Sequence, residues 1–109
     1  MTKAIVQRSS GNVFADLGLP NADARLAKAE LARVIRAIVK GKNWTQRRAA
    51  DVLGIAAPDV SDLMRGKLAR FSQERLERFL NALDMDVDIR VRPRAPGKKQ
   101  ASVTVEFVA

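Results

Sequence analysis

Neither cysteine nor histidine occurs in the 109 residues of this chain. The missing cysteine excludes disulfides and thiolate chemistry and fits a reducing compartment. Without histidine as well, the commonest general base and the usual zinc ligands are absent. The remaining carboxylates are scattered among Arg and Lys along helical stretches, as solvated faces would be. A glycine-rich phosphate loop is also lacking, because PRAPGKK (Pro93–Lys99) does not have the spacing of one. The expectation is a protein that is not an enzyme and has neither a metal site nor a cofactor. Apolar runs are short, far from the ~20 residues that span a bilayer, and MTKAIVQRSSGN at the start lacks the apolar core of a signal peptide. A cytoplasmic protein with no membrane partner is expected.

What is present is ordinary for a folded chain except in its charge. A hydrophobic share of 47% with 29% charged residues suits one domain with a modest core. Twenty Lys and Arg stand against 12 Asp and Glu, for a net charge of +8 and a pI near 10.9. Such a balance points to a polyanionic partner, either nucleic acid or a membrane surface.

The stretch that chooses between them is TQRRAADVLGIAAPDVSDLMRG, Thr45 to Gly66. Thr45 is suited to cap a helix that begins at Gln46, with Ala49, Ala50, Val52 and Leu53 turned inward. Gly54 can take the left-handed conformation that ends it. A second helix tolerates Pro58 in its first turn and carries Val60, Leu63 and Met64 at i, i+3 and i+4. Two helices crossing at about 90–120° across such a turn make a helix-turn-helix, whose second helix enters the DNA major groove.

On Gln46, Ala50, Gly54, Val60 and Leu63 the segment resembles the helix-turn-helix of the Xre/Cro-like regulators. The resemblance extends through SSGNVFADLGLPNADARLAKAELA (Ser9–Ala32), FSQERLERFLNALDMDV (Phe71–Val87) and IRVRP (Ile89–Pro93). Over that span the chain is similar to the HigA-type antitoxin subfamily. The implied fold is mainly α: a five-helix, lambda-repressor-like bundle with a C-terminal β-strand or hairpin. It would be organised as an arm with a short helix (1–20), the helix-turn-helix bundle (21–85) and a C-terminal hairpin for dimerisation (86–109).

The arm carries Ile5 and Val6 in an otherwise polar terminus, expected to be frayed or loosely docked. Asn12 can cap one turn, VFADL, ended by Gly18, with Phe14, Leu17 and Leu19 as a small apolar foot. Asn21 or Asp23 then caps a long helix to about Lys40, apolar at Ala27, Leu31, Val34, Ile35 and Ile38. Arg25, Lys28, Arg33, Arg36 and Lys40 fall on its other sides and are expected to be solvated. Trp44, the lone Trp, is expected in the core or as a staple on the next helix. Ser72 caps a last helix with Leu76, Phe79, Leu80 and Leu83 inward and Glu74 favourably near its start. From Asp86 the period becomes two: Val87, Ile89 and Val91 alternate with charged residues, and after a basic turn Val103, Val105 and Phe107 alternate again. These two runs read as a hairpin.

The resemblance also implies roles. Gln46 becomes a clamp on the DNA backbone and Arg47 a phosphate contact, while Ala57, Pro58, Asp59, Ser61, Asp62 and Arg65 form the groove-facing set. Lys67 and Arg70 are placed to meet phosphate. Ala56, Ala57 and Asp59 replace the Ser, Gln and basic or hydroxyl residues common in relatives, so Ser61 and Arg65 are the best candidates for base contacts. Val87, Ile89 and Val91 are the expected dimerisation strand. The expected function is a repressor that binds a pseudo-palindromic operator as a homodimer and also silences a RelE-like ribonuclease toxin. The alternatives are a stand-alone regulator of the same kind and a protein-interaction module that binds no DNA.

Overall fold

Four α-helices and a two-stranded sheet make up the computed structural model, which describes residues 4–7, 17–18, 22–97 and 103–108. In chain order these are β1 (Ala4–Gln7), α1 (Ala22–Gly41), α2 (Gln46–Leu53), α3 (Ala57–Met64), α4 (Gln73–Ala82) and β2 (Val105–Val108).

Helix boundaries follow from local chemistry. Thr45 and Ser72 hold extended backbone and accept from the amides of Arg48 and Arg75 at 3.1 and 3.0 Å, capping α2 and α4. α3 has no side-chain cap. It starts on Pro58 in its first turn, with Asp59 supplying the negative charge that suits a helix N-terminus. Helix α2 stops at Gly54, whose φ of 71° lies in the left-handed region, and the amides of Gly54 and Ile55 both donate to Ala50 O, at 2.9 and 3.1 Å. A similar closure ends α3 at Gly66, φ 76°, where Lys67 N donates to Asp62 O at 2.8 Å.

The core lies where α1, α2, α3 and α4 meet. α1 contributes Leu31, Val34, Ile35 and Val39; α2 contributes Ala49, Ala50 and Leu53; α3 contributes Val60 and Leu63. Leu76, Phe79 and Leu80 of α4 and Leu83 just beyond it close the core, with Phe71 packed edge-on to Phe79 at 5.9 Å between ring centroids. Small residues at positions 49 and 50 let α2 approach its neighbours closely. Trp44 is half-buried against this core, as a staple would be, with Lys42 Nζ 5.3 Å and the Arg48 guanidinium 5.7 Å from its ring centre.

The sequence-based expectation fails at the two ends. No hairpin joins the runs around 87–91 and 103–107. Instead β2 pairs antiparallel with β1, in the register Ala4↔Val108, Ile5↔Phe107, Val6↔Glu106 and Gln7↔Val105. Within the N-terminal run expected to be frayed or loosely docked, Ala4–Gln7 is therefore a strand, and residues 85–95 hold no regular structure. A tight turn sets register in a hairpin, whereas the long connection after Pro93 imposes none. β2 goes instead where Val105 and Phe107 can pack on the core beside α1. This also answers the marginal stability of an isolated pair of strands.

Four helices, not five, are found among the described residues. Most of the expected VFADL turn lies outside them, as do Phe14 and Leu19, and Leu17 is 69% exposed instead of forming an apolar foot.

An ideal Cβ on Gly54 would meet nothing within 4 Å, so substitution there is opposed by backbone conformation and not by crowding. Gly54→Val is expected to lower stability by about 1–3 kcal/mol, and Gly54→Asn by clearly less, because Asn tolerates the left-handed region. Urea unfolding followed by circular dichroism measures both.

Candidate nucleic-acid interface

α3 is held by one face and leaves the other to solvent. Val60 and Leu63 are 1% and 0% exposed, while Ala57, Pro58 and Arg65 are exposed and Asp59, Ser61 and Asp62 half-buried. In helical spacing, 57, 61 and 65 form one row and 58 and 62 the next, both displaced from the buried pair. The C-terminal end of the helix is steadied by Arg36 of α1, whose Nη1 donates to Leu63 O at 3.4 Å. Arg36 was expected on a solvated face; it is half-buried instead. Partial burial and then the nearby charge of Arg33 hold its pKa below the usual arginine value. A cation there also complements the negative end of the α3 dipole.

The turn at Gly66 sends the chain back along α3, and a cluster of opposite charges forms on the exposed face. Arg70 Nη2 lies 2.6 Å from Asp59 Oδ1 and 3.1 Å from Asp62 Oδ2. Arg65 Nη2 lies 3.9 Å from the other oxygen of Asp62. Asp59, Asp62, Arg65 and Arg70 are thus brought together, and Arg70 is folded onto α3 as a partner of its carboxylates. Lys67 is exposed, and among the described residues no ion pair or hydrogen bond engages its side chain. The same holds for Gln46 and Arg47 in the first turn of α2. Their side chains are available to a polyanion.

Comparison with known proteins places this arrangement. A family model described as a helix-turn-helix domain matches residues 13–92. A solved structure named for the XRE family of transcriptional regulators superposes with a TM-score of 0.75 at 41% identity, covering 79% of this chain and 97% of that one. The chain belongs to the XRE family of helix-turn-helix proteins. No curated protein matches it.

In this XRE-family member α2 and α3 are the two motif helices, and the turn between them is closed by Gly54. Sequence reasoning missed two features of the site. The contact from Arg36 to Leu63 O carries no sequence signature, because it joins residues 27 apart through a backbone oxygen. The Arg70 clamp did leave one: carboxylates at i and i+3 on α3, then an arginine eight residues on across a glycine turn. Among the described residues no cluster could hold a metal ion and no helix is long and apolar enough to cross a membrane.

Proposed function

We propose that the protein is a DNA-binding transcriptional repressor that reads the major groove with α3. The observation that supports this most directly is the burial of Val60 and Leu63, which leaves Ala57, Pro58, Ser61 and Arg65 on the opposite, accessible face. Phosphate contacts come from Gln46 and Arg47 at the start of α2 and from Lys67 beyond α3. Ser61 and Arg65 read base edges. Aspartates 59 and 62 can accept from base amino groups, and Ala57 can touch a thymine methyl.

The protein acts as a homodimer on two half-sites about 34 Å apart, one DNA turn. Support lies in the run after α4: Val87 packs on the core, while Ile89 and Val91, in phase with it, are 70% and 91% exposed. Two large apolar side chains so exposed on an unpaired segment suit a partner copy. Within this reading we infer an antitoxin role, in which the dimer represses its own operon and binds a RelE-like toxin. That role rests on the likeness of Ser9–Pro93 to HigA-type antitoxins. A stand-alone regulator shares the DNA mechanism, and a neighbouring reading frame for a small basic ribonuclease separates the two.

A gel shift with DNA from just upstream of the protein's own gene, with and without the neighbouring gene product, tests the function as a whole. Retardation that weakens steeply with salt is expected; its absence at low salt refutes the repressor. Arg65→Ala is expected to weaken the preferred site by ~1–3 kcal/mol and relax one base position, whereas Arg47→Ala weakens all sequences alike and flattens the salt slope by about one. Equal losses for Arg65→Ala on preferred and random duplexes would move it to the phosphate class. The paired change Ile89→Asp and Val91→Asp is expected to convert dimer to monomer by light scattering, and an unchanged mass contradicts the proposed interface.

A further inference from the structure

The clamp on Arg70 has a consequence for specificity. Between Ala57 and Arg70 the chain carries three cations, Arg65, Lys67 and Arg70, and two carboxylates, Asp59 and Asp62. Both carboxylates are half-buried against the helix, and both meet the same guanidinium nitrogen, at 2.6 and 3.1 Å. Arg70 itself is 67% exposed. An exposed ion pair is weak, because water and salt compete for it and holding a long side chain in one geometry is unfavourable. The clamp can therefore be exchanged for another partner without disturbing the core.

Resting on the DNA reading above, we propose that Asp59 and Asp62 are specificity determinants that withhold Arg70 from phosphate on unmatched DNA and release it where the major groove offers base amino groups to the two carboxylates. On random duplex the carboxylates face mostly acceptors and phosphates, which repel them, and their best partner remains Arg70. Cytosine N4 and adenine N6 are the amino donors on the major-groove edge. Where these are aligned with Asp59 and Asp62, they replace the guanidinium as hydrogen-bond partners. Arg70 then turns to the DNA backbone and adds one phosphate contact. A matched sequence thus gains both the base contacts and a cation, and an unmatched one gains neither.

The prediction concerns the salt dependence of binding, since each phosphate neutralised steepens the slope of log affinity against log salt by about 0.9. The assay is fluorescence anisotropy of the full chain on two duplexes, one random and one selected from a random pool by the wild type. On random duplex Arg70→Met should leave the slope unchanged. Asp59→Asn with Asp62→Asn should steepen it by about 0.9, so that affinity gains about 3.5-fold more at 50 mM than at 200 mM salt. Adding Arg70→Met to that pair should restore the wild-type slope. On the selected duplex the wild type should be steeper by about 0.9 than on random DNA, and Arg70→Met should abolish that difference.

A flatter slope for Arg70→Met on random duplex would show Arg70 already on phosphate and overturn the proposal. So would a folded Asn pair with an unchanged slope. Thermal melting checks that the Asn pair is folded; if it is not, the Arg70→Met comparison decides alone. A wild type that binds no duplex at low salt refutes the DNA reading itself, a result distinct from either of these.

Discussion

Val60 and Leu63 decide which side of α3 meets water. Burying an aliphatic side chain of that size contributes about 1.5–3 kcal/mol, whereas exposed ion pairs contribute about 0–1 kcal/mol. The rotation of α3 about its own axis is thus set by the core, and the charges on its outer face are free to vary. Ala49 and Ala50 allow the close approach, the left-handed turn at Gly54 sets the direction in which α3 leaves, and Arg36 steadies its far end. A rigid scaffold holding an adaptable outer face suits selective binding, because residues there change affinity without unfolding the protein.

Charge acts on two scales. The net +8 draws the whole molecule toward a polyanion and operates over distances of about a Debye length, ~8–10 Å at ordinary salt. From α3 to Arg70, by contrast, two carboxylates on the helix stand against three cations just beyond it. Among the described residues, the exposed cations near α3 that no ion pair or hydrogen bond engages are Arg47 and Lys67, which flank it in the chain. In the proposed reading, non-selective attraction falls to the flanks and discrimination to the helix.

The helical part of the fold was largely legible because its signals are local. Thr45 and Ser72 cap, Gly54 turns, and the apolar residues of α1 and α4 repeat at helical spacing; each of these depends on a few neighbouring residues. The C-terminal sheet was legible in period but not in pairing. Alternation marks Val105 and Phe107 as strand residues, yet nothing within that run says that its partner is Ala4–Gln7, about 100 positions away in the chain. Val87, Ile89 and Val91 show the same alternation without becoming a strand, since alternation records a preference for one-sided burial and cannot supply the surface that satisfies it. Of the residues that motif spacing and family likeness singled out on α2 and α3, Gln46, Arg47, Ala57 and Pro58 are exposed and Asp59, Ser61 and Asp62 half-buried. The role of Arg70 was legible only in its spacing from Asp59 and Asp62, because an arginine beyond such a helix suits phosphate equally well, and the backward turn at Gly66 is what brings it to the two carboxylates.

The proposed function stands or falls with DNA contact by the face of α3 opposite Val60 and Leu63. The most direct measurement is an amide chemical-shift titration of the isotope-labelled protein with duplex DNA, resolved residue by residue. Perturbations are expected to gather at Gln46–Arg48, at Ala57–Asp62 and at Arg65–Arg70, while Leu76–Ala82 of α4 stay nearly unmoved. Shifts confined to α4 or to the run from Val87 to Arg92, with α3 silent, would contradict the proposed function.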